Sequence, residues 1–112
     1  MAGDSLDGML RASQLSKLRW GMVESCVRFS EYMTAWIDTL SEFANVEVYN
    51  VDGNHTETRP LGSKRGEFEN ENLEKIVTWF LEARFVGGER VTIHSPSEKM
   101  RLFTVCEQSF LL

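Results

Sequence analysis

The stretch that most constrains the fold runs Val46-Glu47-Val48-Tyr49-Asn50-Val51-Asp52 and breaks at Gly53-Asn54-His55. Val46, Val48 and Asn50 alternate with Glu47, Tyr49 and Val51, the period-two pattern of a strand. A strand that stops at a glycine and then presents an amide and an imidazole places both at the carboxyl edge of a sheet. Open α/β sheets bind ligands at that edge. Near the start, Gly3-Asp4-Ser5-Leu6-Asp7-Gly8 forms a second corner, a glycine followed at once by a carboxylate.

The elements around these corners read as one α/β domain over 1–112. From Ser5 to about Phe43 the pattern is helical, as one helix or as a short one from Ser5 and a longer one from near Ser13. Leu15, Met22, Cys26, Phe29, Met33, Trp36, Leu40 and Phe43 recur at steps close to the helical period, and Leu18, Val23, Val27 and Ile37 widen the stripe. Gly21, inside this run, marks a bend or a close packing contact. Asn45 is a terminator before the strand. A cationic loop with Pro60, Gly62, Gly66, Arg59, Lys64 and Arg65 follows. A second helix is predicted from about Asn70 to Phe85, with Leu73, Ile76, Val77, Phe80 and Leu81 on one face and Gly87-Gly88 ending it. Arg90 to His94 and Arg101 to Glu107 read as strands joined in a hairpin-like way through 96–99, and 109–112 as a last apolar strand. The expected fold is thus a partial layered sheet with a long N-terminal helix, a strand, a second helix and C-terminal strands.

Composition narrows the function classes. The 112 residues are 42% hydrophobic, enough for a modest core. A net charge of −5 supplies no basic footprint for nucleic acid, although a metal-dependent nuclease would carry its positive charge on ions. Cys26 and Cys106 form no CxxC or Cys/His cluster, so neither zinc nor a disulfide framework is indicated. No apolar run reaches the ~18 residues of a membrane helix. These features are those of a reduced, cytoplasmic chain without a membrane partner.

The two corners together resemble motifs of the calcineurin-like metallophosphoesterases. Gly3-Asp4-Ser5-Leu6-Asp7 is similar to the family's GDxxD, and Gly53-Asn54-His55 to its GNH, in the family's order and with a helix and strand between. The resemblance implies that Asp4 bridges two divalent ions, Mn²⁺ or Mg²⁺, and that Asn54 offers its carbonyl oxygen to one. It implies that His55 stabilises or protonates the leaving oxygen of a phosphate ester. Arg59, in the loop just beyond, is the candidate phosphate contact. The family's DxH and GHxH do not occur here, and Thr56 stands where the family has an acid, with Glu57 one residue on. The chain therefore resembles the central part of such a domain, expected to be weakly active or inactive alone.

Each residue also has a plainer reading. Asp4 or Ser5 suits a helix N-cap, with Asp7 near the helix's positive end, and Gly-Asn suits a turn. His94 reads as a strand-end histidine. Glu67, Glu69, Glu71 and Glu74 suit the dipole at the start of the second helix. The rival function is a small non-enzymatic module that uses the apolar face of its first helix for homo-oligomerisation or for docking a complementing chain.

Overall fold

The computed structural model describes residues 1, 4–6, 13, 16–59, 63–68, 70–95 and 102–111. Helix α1 spans Met22–Ser41, strand β1 Val46–Tyr49, helix α2 Leu73–Phe85, and strands β2, β3 and β4 span Val91–His94, Leu102–Val105 and Gln108–Leu111. The α/β class and the order of elements expected from the sequence are those found.

β1 and β2 pair in parallel, with Val46 opposite Val91 and Tyr49 opposite His94. Parallel neighbours need a crossover, and α2 lies within it. Alternation sends Val46, Val48, Val91 and Ile93 to one face, where they join Ile37 of α1 and Val77, Leu81 and Phe85 of α2 in a single core. Ile37, Val77 and Leu81 are fully buried, which stabilises the fold by about 1.5–3 kcal/mol for each side chain. Tyr49 and His94 fall on the opposite face and stack with ring centroids 4.3 Å apart. Phe103 of β3 stacks on Tyr49 at 4.4 Å. Phe103 thus brings the β3–β4 pair onto the face that the helices leave open.

Several expectations are corrected. Ser13 is helical and the rest of 7–15 lies outside the described residues; turns and bends follow at 16–17 and 19–20, and the long helix α1 starts at Met22, with Gly21 as its N-cap. Nothing lies within 4 Å of a Cβ built on Gly21, so this glycine marks the helix start rather than a close contact. Leu15 lies outside the described residues, as do Gly3, Asp7, Pro60, Gly62 and Glu69. The buried stripe of α1 is Met22, Cys26, Ser30, Met33 and Ile37. Trp36 is 52% exposed and Phe43 82%, because α1 buries one narrow face against α2 and β1. In α2, Ile76 points outward and Glu74 is fully buried in its place.

The hairpin also falls elsewhere. β3 pairs antiparallel with β4, not with the 90–94 strand. Its turn is Cys106-Glu107, with φ of 48° and 66°. Left-handed values at both central residues give the twist a two-residue hairpin turn requires. Sequence reasoning takes these two residues as strand because neither is the Asn or Gly that usually marks such a turn. Gly87, at φ 75°, does end α2 as expected, and the Gly88 N–H donates to the Phe85 carbonyl at 3.0 Å.

Candidate functional site

Met1 lies beside the end of β1. The Met1 ammonium donates to the Tyr49 carbonyl, and the Val51 N–H donates to the Met1 carbonyl at 3.3 Å. That pair of bonds, straddling Asn50, is the signature of a parallel bridge. Leu6 is buried in the core and anchors the far end of the segment.

This placement brings the two sequence corners together. Asp4 Oδ1 accepts the His55 backbone N–H at 2.6 Å across 51 residues of chain. A Cβ on Gly53 would stand 2.1 Å from the Asp4 nitrogen and 2.4 Å from Asp4 Oδ1. Only a glycine lets the segments approach so closely. Asp4 itself sits at φ 52°, a left-handed conformation for which Asp is one of the more tolerant residues. Its carboxylate therefore lies against the backbone on either side of Asn54. The helix that Asp4 or Ser5 would cap lies outside the described residues.

A cavity of about 250 Å³ opens at this corner, lined by Asp52, Gly53, Asn54, Glu57, Arg65, Gly66 and Asn72. Asn54 and His55 are both half-buried. Thr56 is buried, with its Oγ1 donating to the Gly53 carbonyl at 3.2 Å. Asn72 caps α2 by accepting the Glu74 N–H at 3.0 Å and donates its Nδ2 to the Gly53 carbonyl at 2.8 Å. One side chain thus fixes the start of α2 to the glycine corner. The next segment is held by a bridge between Glu57 and Asn72.

Arg59 is not a lining residue. Its guanidinium pairs with Glu57 Oε2 at 3.2 Å, and Arg65 is the cation at the cavity instead. The sequence signal for Arg65 is its place in the same cationic loop, but choosing between Arg59 and Arg65 needs the fold of that loop.

Asp52, Glu57 and Asn72 join the site although the sequence motif names none of them. Asp52 Oδ1 is buried and has no hydrogen-bond partner among the described residues. Burial pushes the Asp52 carboxyl above its ordinary value, against the opposing pull of Lys75. A carboxylate raised by desolvation at the lip of a cleft is a feature common at functional sites.

Beneath the corner lies a buried polar cluster. Glu74 Oε1 accepts the Ser5 N–H at 2.8 Å, and Asn50 Nδ2 donates to Thr78 Oγ1 at 2.7 Å and to Glu74 Oε2 at 3.5 Å. Glu74 is therefore the support of the Asp4 segment, where the sequence suggests only a surface acid at a helix start. His94 is a strand-end histidine, with its Nε2 3.4 Å from Glu47 Oε2. The Tyr49 hydroxyl, which donates to Glu47, holds the Glu47 carboxyl below its ordinary value, with His94 adding to the effect.

The donor types fit a hard divalent cation: the Asp4 carboxylate, the Asn54 amide oxygen and the unpartnered Asp52 oxygen. Their number does not fill its coordination sphere. Among the described residues no group of three or more His, Cys, Asp or Glu is arranged to hold a metal ion.

No family model matches this chain, and no solved structure does. Among curated proteins it is similar to the SPbeta prophage-derived uncharacterized protein YonJ of Bacillus subtilis (strain 168), with 30% identity over 92 residues. That alignment covers 80% of this chain and 23% of the relative. The chain thus spans about a quarter of the length of the curated relative it matches. Among the described residues no helix is long and apolar enough to cross a membrane.

Proposed function

We propose that this chain is a section of a metal-dependent phosphoesterase domain and contributes part of a divalent-metal site at the Gly53 corner. The observation that carries this reading is the convergence of Asp4 on the Gly53-Asn54-His55 turn, with Oδ1 2.6 Å from the His55 nitrogen. Two motifs separated by a helix and a strand have no local reason to meet.

In this reading Asp4 and Asn54 hold Mn²⁺ or Mg²⁺ by their oxygens, and donors from outside this chain complete the site. Bound there, the ions would polarise a phosphate ester and supply the nucleophile. His55, whose backbone is fixed by Asp4, stands at the same turn to stabilise or protonate the leaving oxygen. Arg65 replaces Arg59 as the residue placed to meet a phosphate oxygen. The substrate class is a phosphomonoester or phosphodiester, nucleic acid included, and the setting is cytoplasmic.

Calorimetric titration of the chain with Mn²⁺ tests the reading. Weak, saturable binding lost in Asn54→Ala and in Asp4→Ala is expected, with little phosphodiester hydrolysis by the chain alone. Heat that is absent, or unchanged by both substitutions, would overturn it.

A second reading is a non-enzymatic interaction module. It draws on the two flanks of the buried stripe of α1, where Val23 and Val27 on one side and Tyr32 and Trp36 on the other are each more than half exposed. That reading requires an oligomer indifferent to chelator.

A further inference from the structure

One carboxylate sorts the two arginines beyond the Gly53 corner. Glu57 is only 8% exposed, and its two oxygens serve different partners. Oε2 pairs with Arg59, through Nη2 at 3.2 Å and Nε at 3.4 Å. Oε1 accepts the Gly66 N–H at 2.5 Å, nine residues along the chain. Gly66 stands at φ 75°, a left-handed conformation that glycine adopts without steric cost. Around it the 64–67 turn is closed by the Glu67 N–H donating to the Lys64 carbonyl at 3.2 Å and the Lys64 N–H donating to Glu67 Oε2 at 2.8 Å. Arg65 lies inside this turn and lines the cavity beside Asn54. Among the described residues no hydrogen bond or ion pair engages its guanidinium.

On the reading above that this cavity takes the phosphate of an ester, we infer that Glu57 is the positioning residue of the site, fixing Arg65 at the cavity as the contact for a phosphate oxygen. The bridge to Asn72 holds Glu57 in place, Glu57 holds Gly66, and the Gly66 turn carries Arg65. The same carboxylate engages Arg59, so a single buried group selects which guanidinium meets the ligand. The sign of the effect separates positioning from charge. A carboxylate beside an anion repels it, so a Glu57 acting only through its field would weaken phosphate binding, and its removal would strengthen it. A Glu57 that positions Arg65 does the reverse when its acceptor oxygen is deleted. When the charge goes but an acceptor oxygen stays, as in Glu57→Gln, binding survives.

The test is an NMR titration of the ¹⁵N-labelled 112-residue chain with inorganic phosphate at fixed ionic strength, followed at the Asn54 amide and the Arg65 Nε–H. Saturable shifts are expected, with affinity about tenfold or more lower in Arg65→Ala, in proportion to one lost charge-assisted contact. Glu57→Ala should weaken binding by about fivefold or more, and in the Arg65→Ala background it should add no further loss. Glu57→Gln should bind as tightly as the parent or more so. Gly66→Ala covers the case in which Glu57→Ala does not fold. Open space surrounds its Cβ position, so it strains the turn through φ alone, and it should weaken phosphate binding too. Four results would overturn the inference: no saturable shift, tighter binding by Glu57→Ala, an undiminished Glu57→Ala effect without Arg65, or parent affinity in Gly66→Ala. Mn²⁺ calorimetry on the parent keeps the two readings apart. A parent that binds no Mn²⁺ overturns the metal site, whereas Mn²⁺ bound with phosphate indifferent to Glu57→Ala overturns the positioning role alone.

Discussion

Replacing Glu74 by Ala should damage the Gly53 corner, whose cavity the Glu74 side chain does not line. Glu74 is fully buried, and its Oε1 accepts the Ser5 N–H at 2.8 Å. Truncation leaves that partly buried donor without its partner, at a cost of about 1–3 kcal/mol. Loss of the one buried methylene adds about 0.8 kcal/mol, offset in part because a buried carboxyl no longer has to be desolvated. Asn50 keeps its bond to Thr78 Oγ1, so the strand side of the cluster survives. The net loss is about 1–3 kcal/mol, or a melting midpoint lower by roughly 5–15 °C for a domain of this size. The mechanism also predicts where the structure loosens. Ser5 is adjacent to Asp4, whose carboxylate holds the His55 N–H, so amide exchange at His55 should accelerate more than in the middle of α1. Glu74→Gln, which keeps one acceptor oxygen, should lie between. A destabilised Glu74→Ala whose His55 exchange merely follows global unfolding would refute the coupling, and an unchanged midpoint would refute the burial argument.

Gly53→Ala should cost about 1–3 kcal/mol, because its Cβ would meet the Asp4 backbone at 2.1 Å and the segment must retreat; chemical denaturation and the loss of the Asp4 contact to the His55 N–H check it. Asp52 has a raised folded-state pKa, so its protonated form favours folding, and stability falls as pH rises from the ordinary carboxylate value through the folded one. Asp52→Asn should therefore melt higher than the parent at neutral pH, with the difference closing in acid; a constant difference across the titration would contradict this. Burial, with Glu74 adding to it, raises the Cys26 thiol, whereas Cys106 is exposed at the hairpin turn. A disulfide reagent at pH 8 should thus modify Cys106 rapidly and Cys26 only on unfolding, as mass spectrometry of the labelled peptides would show.

What was legible in the sequence is what depends on local period. The alternation of Val46, Val48 and Asn50 gave β1, and the Gly87-Gly88 pair marked the end of α2. The corners at Asp4 and Asn54 were visible as motifs, but their meeting was not, because it depends on Met1 adding to the edge of β1. Periodicity misjudged Glu74 for a physical reason. A glutamate at a helix start is usually a solvated partner of the dipole, and here the position faces an incoming backbone N–H, a tertiary fact. Trp36 and Phe43 fit the apolar period of α1 but lie beyond the surface that α2 and β1 cover. Arg59 and Arg65 are equivalent in the sequence; only the Glu57 carboxylate, which engages Arg59, separates them.

The Gly53 corner depends on residues from the start of the chain, Met1 and Asp4 to Leu6. At one end Met1 bonds to the edge of β1, and at the other Leu6 is seated in the core. Between them Ser5 is held by Glu74, and Asp4 holds the His55 N–H. Local stability in such a short segment is set by few contacts, so it should open at lower free energy than the β1–β2 pair beside it. By linkage, whatever binds at the Gly53 corner and favours the state in which Asp4 reaches His55 also favours the seated segment. Saturating Mn²⁺ should therefore slow amide exchange at Ser5 and at His55 together, and exchange slowed at neither would refute the coupling.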